Sequence, residues 1–277
     1  MLNYYKIKVW SDEEQIWYPT YYYIVQPQLP RTMGYMYQSV VNKLPTKKEI
    51  FEIEFDKILS QLKKSNENIN ARWGSRLTND LEDKNSCVIH THNVHSFSAK
   101  MLEMIQQERF LDHVESIIGP NIVLHHTKLF YKPPLIGSAF PLHQDWSYFP
   151  TEKNTMIAAV IHLTDTSSEM GCLRLIPKSH KLGQIKKSDG HQYLDQIHSK
   201  YTLEKALPIT AQAGEVLFFH SFTIHGSLPN QDLKPRKTIL IQLYSGNDKV
   251  IKNDHTNVEI VLRGWNHFAT RKSAGKL

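Results

Sequence analysis

The segment PLHQDWSYFP, residues 141–150, sets an imidazole and a carboxylate two positions apart. In an extended chain residues i and i+2 project to the same face, so His143 and Asp145 can converge on one metal ion while Gln144 points away. Two donors do not complete a site. The segment FHSFTIHGSLPN, residues 219–230, supplies a third in His225, just beyond a strand-like run ending near His220. Two imidazoles and one carboxylate on one face of an octahedron leave three positions open, the donor set of non-haem Fe(II) sites that bind a chelating cosubstrate and dioxygen together. Arg236 follows eleven residues after His225, in LKPRKTILIQLY. If the two strands are neighbours, its guanidinium can form a bidentate pair with the distal carboxylate of a dicarboxylic acid, and Ser227 can add a hydroxyl.

These residues need a scaffold. After Pro120 the chain runs through short apolar stretches, NIVLHHTKLFY, TMIAAVIHL, GCLRLIP, EVLFFH and KTILIQLY, separated by turn residues such as Pro133-Pro134, Ser167-Ser168 and Ala213-Gly214. That spacing predicts a β-sandwich or barrel. Before it, Phe51, Phe55, Ile58 and Leu62 recur at three- and four-residue intervals, which predicts an amphipathic helix with Thr46 as its N-cap. Leu102, Ile105, Leu111, Val114 and Ile118 predict a second helix from about Ser98 to Ile118, stopped by Gly119-Pro120. Helices first and strands after imply an α+β chain with a sandwich core. Residues 1–277 read as one domain, with 1–118 a mostly helical wall and 119–250 the catalytic core. The tyrosine-rich YPTYYYIVQPQLP reads as an edge strand or an extended cover. The patternless stretch from Lys181 to Leu207 reads as a functional lid.

Composition narrows the function classes. No run of about eighteen apolar residues is present, and MLNYYKIKVWSDEE lacks the order of a secretory signal, so a soluble, cytoplasmic protein with no membrane partner is expected. The closing Ala274-Gly275-Lys276-Leu277 approximates a peroxisomal tripeptide, but glycine stands where the small polar residue belongs. Cys87 and Cys172 sit in no zinc-type spacing and are expected reduced and partly buried. The formal charge of +6 is spread over short clusters and permits an anionic substrate without requiring one.

Taken in order, GPN, KPP, PLHQDWSYFP, GCLRLIPKSHK, FFHSFTIHGS and Arg236 resemble the phytanoyl-CoA dioxygenase family of Fe(II)/2-oxoglutarate oxygenases, from about Gly119 to Tyr244. The resemblance implies a double-stranded β-helix, or jelly roll, with flanking N-terminal helices. It implies His143, Asp145 and His225 on iron, Arg236 and Ser227 on 2-oxoglutarate, and Lys128 facing cosubstrate or substrate. It implies hydroxylation of an unactivated C–H of a small molecule at the expense of dioxygen and 2-oxoglutarate, with ascorbate as an accessory reductant. Asp145 favours hydroxylation, since related halogenases lack the carboxylate. The substrate expected is a secondary metabolite, for instance an alkaloid toxin precursor such as 7-deoxycylindrospermopsin; a fatty acyl-CoA is the alternative. Some members carry a lysine where this chain has Thr91-His92-Asn93, so the pocket wall differs there.

Other residues take secondary roles. Trp146, Tyr148 and Phe149, and less strongly Gln144, are candidates for substrate contact. His90, His92 and His95 alternate along IHTHNVH and read as pocket wall or surface. His180 reads as structural, closing a turn after Pro177, and Arg174 as an ion-pair residue. A nucleic-acid demethylase would call for a second arginine near Arg236, yet none follows until Arg263, so no nucleic acid is expected. A non-catalytic jelly-roll metal-binding protein is the remaining alternative.

Overall fold

The computed structural model describes residues 6–11, 16–21, 37–39, 45–73, 78–82, 84–185, 200–252 and 256–275. Two antiparallel sheets enclose a cavity. The larger runs β13 (Ile260–Arg263), β5 (Ile122–Lys132), β12 (Arg236–Ser245), β7 (Ile157–His162), β10 (Val216–His220) and β3 (Tyr37–Ser39), with β4 (Ile89–His92) also paired to β5. The smaller runs β6 (Phe140–His143), β11 (His225–Ser227), β8 (Leu173–Leu175) and β9 (Leu207–Ile209). A separate hairpin joins β1 (Lys6–Ser11) to β2 (Ile16–Tyr21), so part of the tyrosine-rich segment is a strand and the remainder lies outside the described residues. The expected α+β jelly roll is the architecture found.

The long strands read as unbroken apolar runs because both faces of the larger sheet are covered. On β12 the odd positions Ile239, Ile241 and Leu243 join one core with Phe55, Ile58, Met101 and Val114 of the helices. The even positions Arg236, Thr238 and Leu240 face the cavity. Period-2 alternation therefore sends the adjacent cations to opposite sides. Lys237 faces outward and is held by Glu52 at 2.9 Å and Asp56 at 2.8 Å on α1 (Pro45–Lys64), pinning that helix over the sheet.

Three expectations are corrected here. α1 begins at Pro45, so Thr46 is inside the helix rather than capping it; proline suits a first helical turn, whose N–H groups have no intrahelical partner. The second predicted helix is two, α2 (Ala99–Ile105) and α3 (Glu108–Ile118). Gln107 is extended at φ −60°, ψ 124°, and its amide donates to Glu103 O at 3.0 Å, closing α2 two residues before α3 begins. The mostly helical N-terminal region also contributes strands, because β3 and β4 extend the larger sheet, and β13 carries that sheet past residue 250. Finally, β11 and β12 are not neighbours: His225 and Arg236 stand on opposite sheets, meeting across the cavity instead of along a ladder.

The chain ends its described part in the short α4 (Arg271–Gly275). Among the described residues no helix is long and apolar enough to cross a membrane. Cys87 and Cys172 are both unbridged, the second fully buried. Of the predicted lid, residues 186–199 lie outside the described residues.

Candidate metal and cosubstrate site

His143 is the last residue of β6, Gln144 is extended at φ −113°, ψ 135°, and Asp145 opens a 3₁₀ turn through Ser147. The turn redirects the carboxylate toward the strand partner of His143, which is His225 on β11. Asp145 Oδ1 lies 3.8 Å from His143 Nε2 and 3.7 Å from His225 Nε2. One donor atom from each residue falls within 4.8 Å of the others, and all three residues are buried.

The donors are held in a form that a metal requires. His143 Nδ1 donates to Pro141 O at 2.8 Å and His225 Nδ1 to Thr223 O at 3.0 Å, so each ring directs an Nε2 lone pair at the centre. Burial, then His225, lowers the His143 pKa to about 3, so its imidazole is neutral at physiological pH. Gln242, an even position of β12, donates to Asp145 Oδ2 at 2.7 Å and leaves Oδ1 for the centre. Trp73 packs its ring 4.8 Å from that of His143. Two imidazoles and a carboxylate oriented by outer hydrogen bonds fit a divalent iron.

Across the cavity, Arg236 is buried and donates through Nη1 to Gly171 O, while its buried Nε has no hydrogen-bond partner and no carboxylate pairs with it among the described residues. Burial pulls its pKa down to about 10. Gly171 has φ +64°, and a Cβ there would lie 2.3 Å from Leu228 O, which explains the glycine beside the arginine. Ser227 lines the same cavity and accepts from Lys132 Nζ at 2.7 Å, which leaves the hydroxyl proton available to a ligand. A buried, unpaired guanidinium with a donor hydroxyl fits the free carboxylate of a dicarboxylic acid.

The cavity measures about 420 Å³ and is lined by His143, Asp145, His225, Arg236, Ser227 and Lys128, together with Tyr148 and Phe149. Burial draws the Lys128 ammonium down to about 8 against the pull of Asp145. His90 and His92 are pocket wall, as one of the two expectations had it, whereas His95 turns away and bonds Thr127 Oγ1 at 3.0 Å.

Two substrate-contact candidates are not on the wall. Gln144 is a scaffold residue: its amide donates to Phe222 O at 2.7 Å and Gly183 O at 2.9 Å and accepts from Ile185 N at 3.1 Å. Trp146 donates to Asn154 Oδ1 at 2.9 Å and packs on Phe222. Both are even positions flanking His143 and Asp145, so they project to the opposite side of the chain from that pair and do not line the cavity. Arg174 makes no ion pair among the described residues; it gathers the carbonyls of Leu203, Glu204 and Ala206. His180 sits buried in a 3₁₀ turn, as expected of a structural residue. Gln242, Trp73 and Lys132 were missed. The one signal for Gln242 is a polar residue in an apolar strand at the same parity as Arg236.

A jelly roll with a His-x-Asp pair and a distant histidine at its mouth, faced by an arginine on the opposite sheet, defines the non-haem iron, 2-oxoglutarate class of oxygenase folds. Residues 51–238 match the model of the phytanoyl-CoA dioxygenase (PhyH) family, and the chain belongs to that family. It is 29% identical over 157 residues to the probable alpha-ketoglutarate-dependent hypophosphite dioxygenase of Stutzerimonas stutzeri, covering 54% of each chain. It is 31% identical over 173 residues to the peroxisomal phytanoyl-CoA dioxygenase of Mus musculus, covering 58% of this chain and 51% of that one. The chain thus spans about half the length of these curated relatives. Among solved structures, the alpha-ketoglutarate-dependent carbocyclase SnoK from nogalamycin biosynthesis shares the fold, with a TM-score of 0.66 at 15% identity over 79% of this chain and 83% of that one.

Proposed function

We propose that the protein is an Fe(II)/2-oxoglutarate-dependent dioxygenase that hydroxylates an unactivated C–H of a small molecule. The observation that carries this reading is the pairing, in one cavity, of an oriented His143, Asp145, His225 set with an unpaired buried Arg236. His143, Asp145 and His225 would hold the iron, and Arg236 with Ser227 the distal carboxylate of 2-oxoglutarate. Iron and cosubstrate, when bound, supply the oxidising power that couples decarboxylation to C–H hydroxylation. The chain's own part is positional. Gln242 keeps Asp145 oriented, Lys132 aims the Ser227 hydroxyl, and Tyr148, Phe149 and Phe130 exclude water from the reacting end.

A secondary metabolite agrees with a cavity of about 420 Å³, a size suited to a small molecule. The relatives are named for substrates as unlike as hypophosphite and phytanoyl-CoA. Unbridged cysteines agree with a cytoplasmic setting. Ascorbate would serve only to restore oxidised iron. The test is anaerobic addition of Fe(II) and 2-oxoglutarate to folded protein: a weak visible charge-transfer band is expected, then slow succinate release on admitting air. Loss of both in well-folded protein overturns the proposal.

A further inference from the structure

The inner face of the larger sheet can be followed rung by rung. His92, Lys128, Leu240 and Val160 stand side by side on β4, β5, β12 and β7, and all four line the cavity. His90, Phe130 and Thr238 form the next rung toward the cosubstrate end. Arg236 is opposite Lys132, one same-face rung further. Lys128 and Lys132 are four residues apart on β5, so Lys128 lies about 13 Å along the strand from the rung of the cosubstrate anchor. It sits beside β4, the strand that the N-terminal region adds to the sheet.

Lys128 has no hydrogen bond and no ion pair among the described residues; its Nζ stands over the face of Phe149, 5.6 Å from the ring centroid. An ammonium enclosed in this way is costly unless something charged joins it. Asp145, the opposite charge that it senses, is bound to Gln242 and to the metal role. A divalent metal and a dianionic cosubstrate cancel each other, and Asp145 balances Arg236. Lys132, the other inward lysine of β5, already donates to Ser227 Oγ at 2.7 Å and Leu228 O at 2.6 Å, which leaves Lys128 as the lysine of this face without a polar partner among the described residues.

Resting on the oxygenase reading above, we propose that Lys128 holds the anionic group of the substrate, which is therefore a small carboxylic or phosphonic acid hydroxylated near its charged end. His90 and His92 wall the same side of that group. A long acyl-CoA, whose phosphates are remote from the acyl carbons, does not meet this requirement.

The experiment uses the anaerobic Fe(II)·2-oxoglutarate complex, whose charge-transfer band reports an intact metal and cosubstrate site. Methylphosphonate, propionate and the neutral dimethyl methylphosphonate are titrated in turn. One of the two acids, at millimolar concentration, is expected to perturb the band saturably and to raise succinate release on oxygenation at least severalfold, with no response to the ester. Which acid responds distinguishes phosphonate from carboxylate. Lys128→Met should weaken the acid response at least tenfold with the band unchanged, and Lys128→Arg should restore most of it. An intact band with no response to either acid, or an equal response to the ester, overturns the proposal while leaving the oxygenase reading in place. So does a Lys128→Met protein that loses 2-oxoglutarate affinity but keeps the acid response, which would make Lys128 a cosubstrate residue.

Discussion

The two sheets face one cavity but prepare it in opposite ways. On the four-stranded sheet the donors are fully partnered before any ligand arrives: His143 and His225 each spend Nδ1 on a backbone carbonyl, and Asp145 is fixed by an amide reaching over from β12. On the seven-stranded sheet Lys132 is partnered by Ser227, but two inward cations are left open, with Arg236 and Lys128 meeting no carboxylate among the described residues. The difference follows from what each side must bind. A metal needs donors whose direction is set in advance. An anion brings its own charge, so a cation waiting without a counter-ion gains its full pairing energy only from the ligand.

Four changes test that contrast. The largest effect belongs to the open side. Arg236→Ala removes a buried charge-assisted pair, so the 2-oxoglutarate concentration at half-saturation should rise about a hundredfold, taking ~3 kcal/mol for the pair. Fe(II) affinity, read by titration under nitrogen, should hardly change. An equal loss of iron would show that the two ends are not separable. On the prepared side, Gln242→Leu removes the outer partner of Asp145 and should weaken Fe(II) binding by about tenfold to a hundredfold, with 2-oxoglutarate affinity in iron-loaded protein nearly preserved.

The third change uses His162, which lies on β7 opposite Thr238 and near the Arg236 end. Burial, then Arg236, lowers its pKa from 6.5 to about 4. Between those values the unfolded chain takes a proton that the folded chain refuses, so stability falls as pH drops from 6.5 to about 4 and is level above 7. This group alone contributes a slope of up to about 1.4 kcal/mol per pH unit. His162→Gln should flatten thermal-melting midpoints over that window, and an unchanged slope would remove His162 from the account. The smallest effect is expected for Trp146→Phe, which loses one hydrogen bond to Asn154. It should cost about 1 kcal/mol of stability and leave substrate affinity untouched; a shift in substrate affinity would return Trp146 to the pocket.

The clustering of His143, Asp145 and His225 was legible in the chain because histidine and aspartate at i and i+2 have few structural uses together, and because His225, Ser227 and Arg236 follow in a fixed order. The apolar run KTILIQLY likewise foretold a strand. Gln144 and Trp146 were misjudged for one local reason, since residues adjacent in sequence to His143 and Asp145 project to the opposite side of the chain. The break between α2 and α3 was hidden as well, because two glutamines interrupt the helical ladder without disturbing its apolar spacing.

By itself, then, the sequence determined the donor types, the parity of the inward positions and the succession of helices and strands, all of which depend on neighbours a few residues apart. Tertiary structure alone decided that His225 and Arg236 oppose each other on different sheets. It also decided that β4 brings His90 and His92 beside Lys128, and that Gln242 reaches Asp145 across 97 residues of chain. Those relations arise from which strands pair and which faces meet, and local periodicity carries no record of a partner so far along the chain.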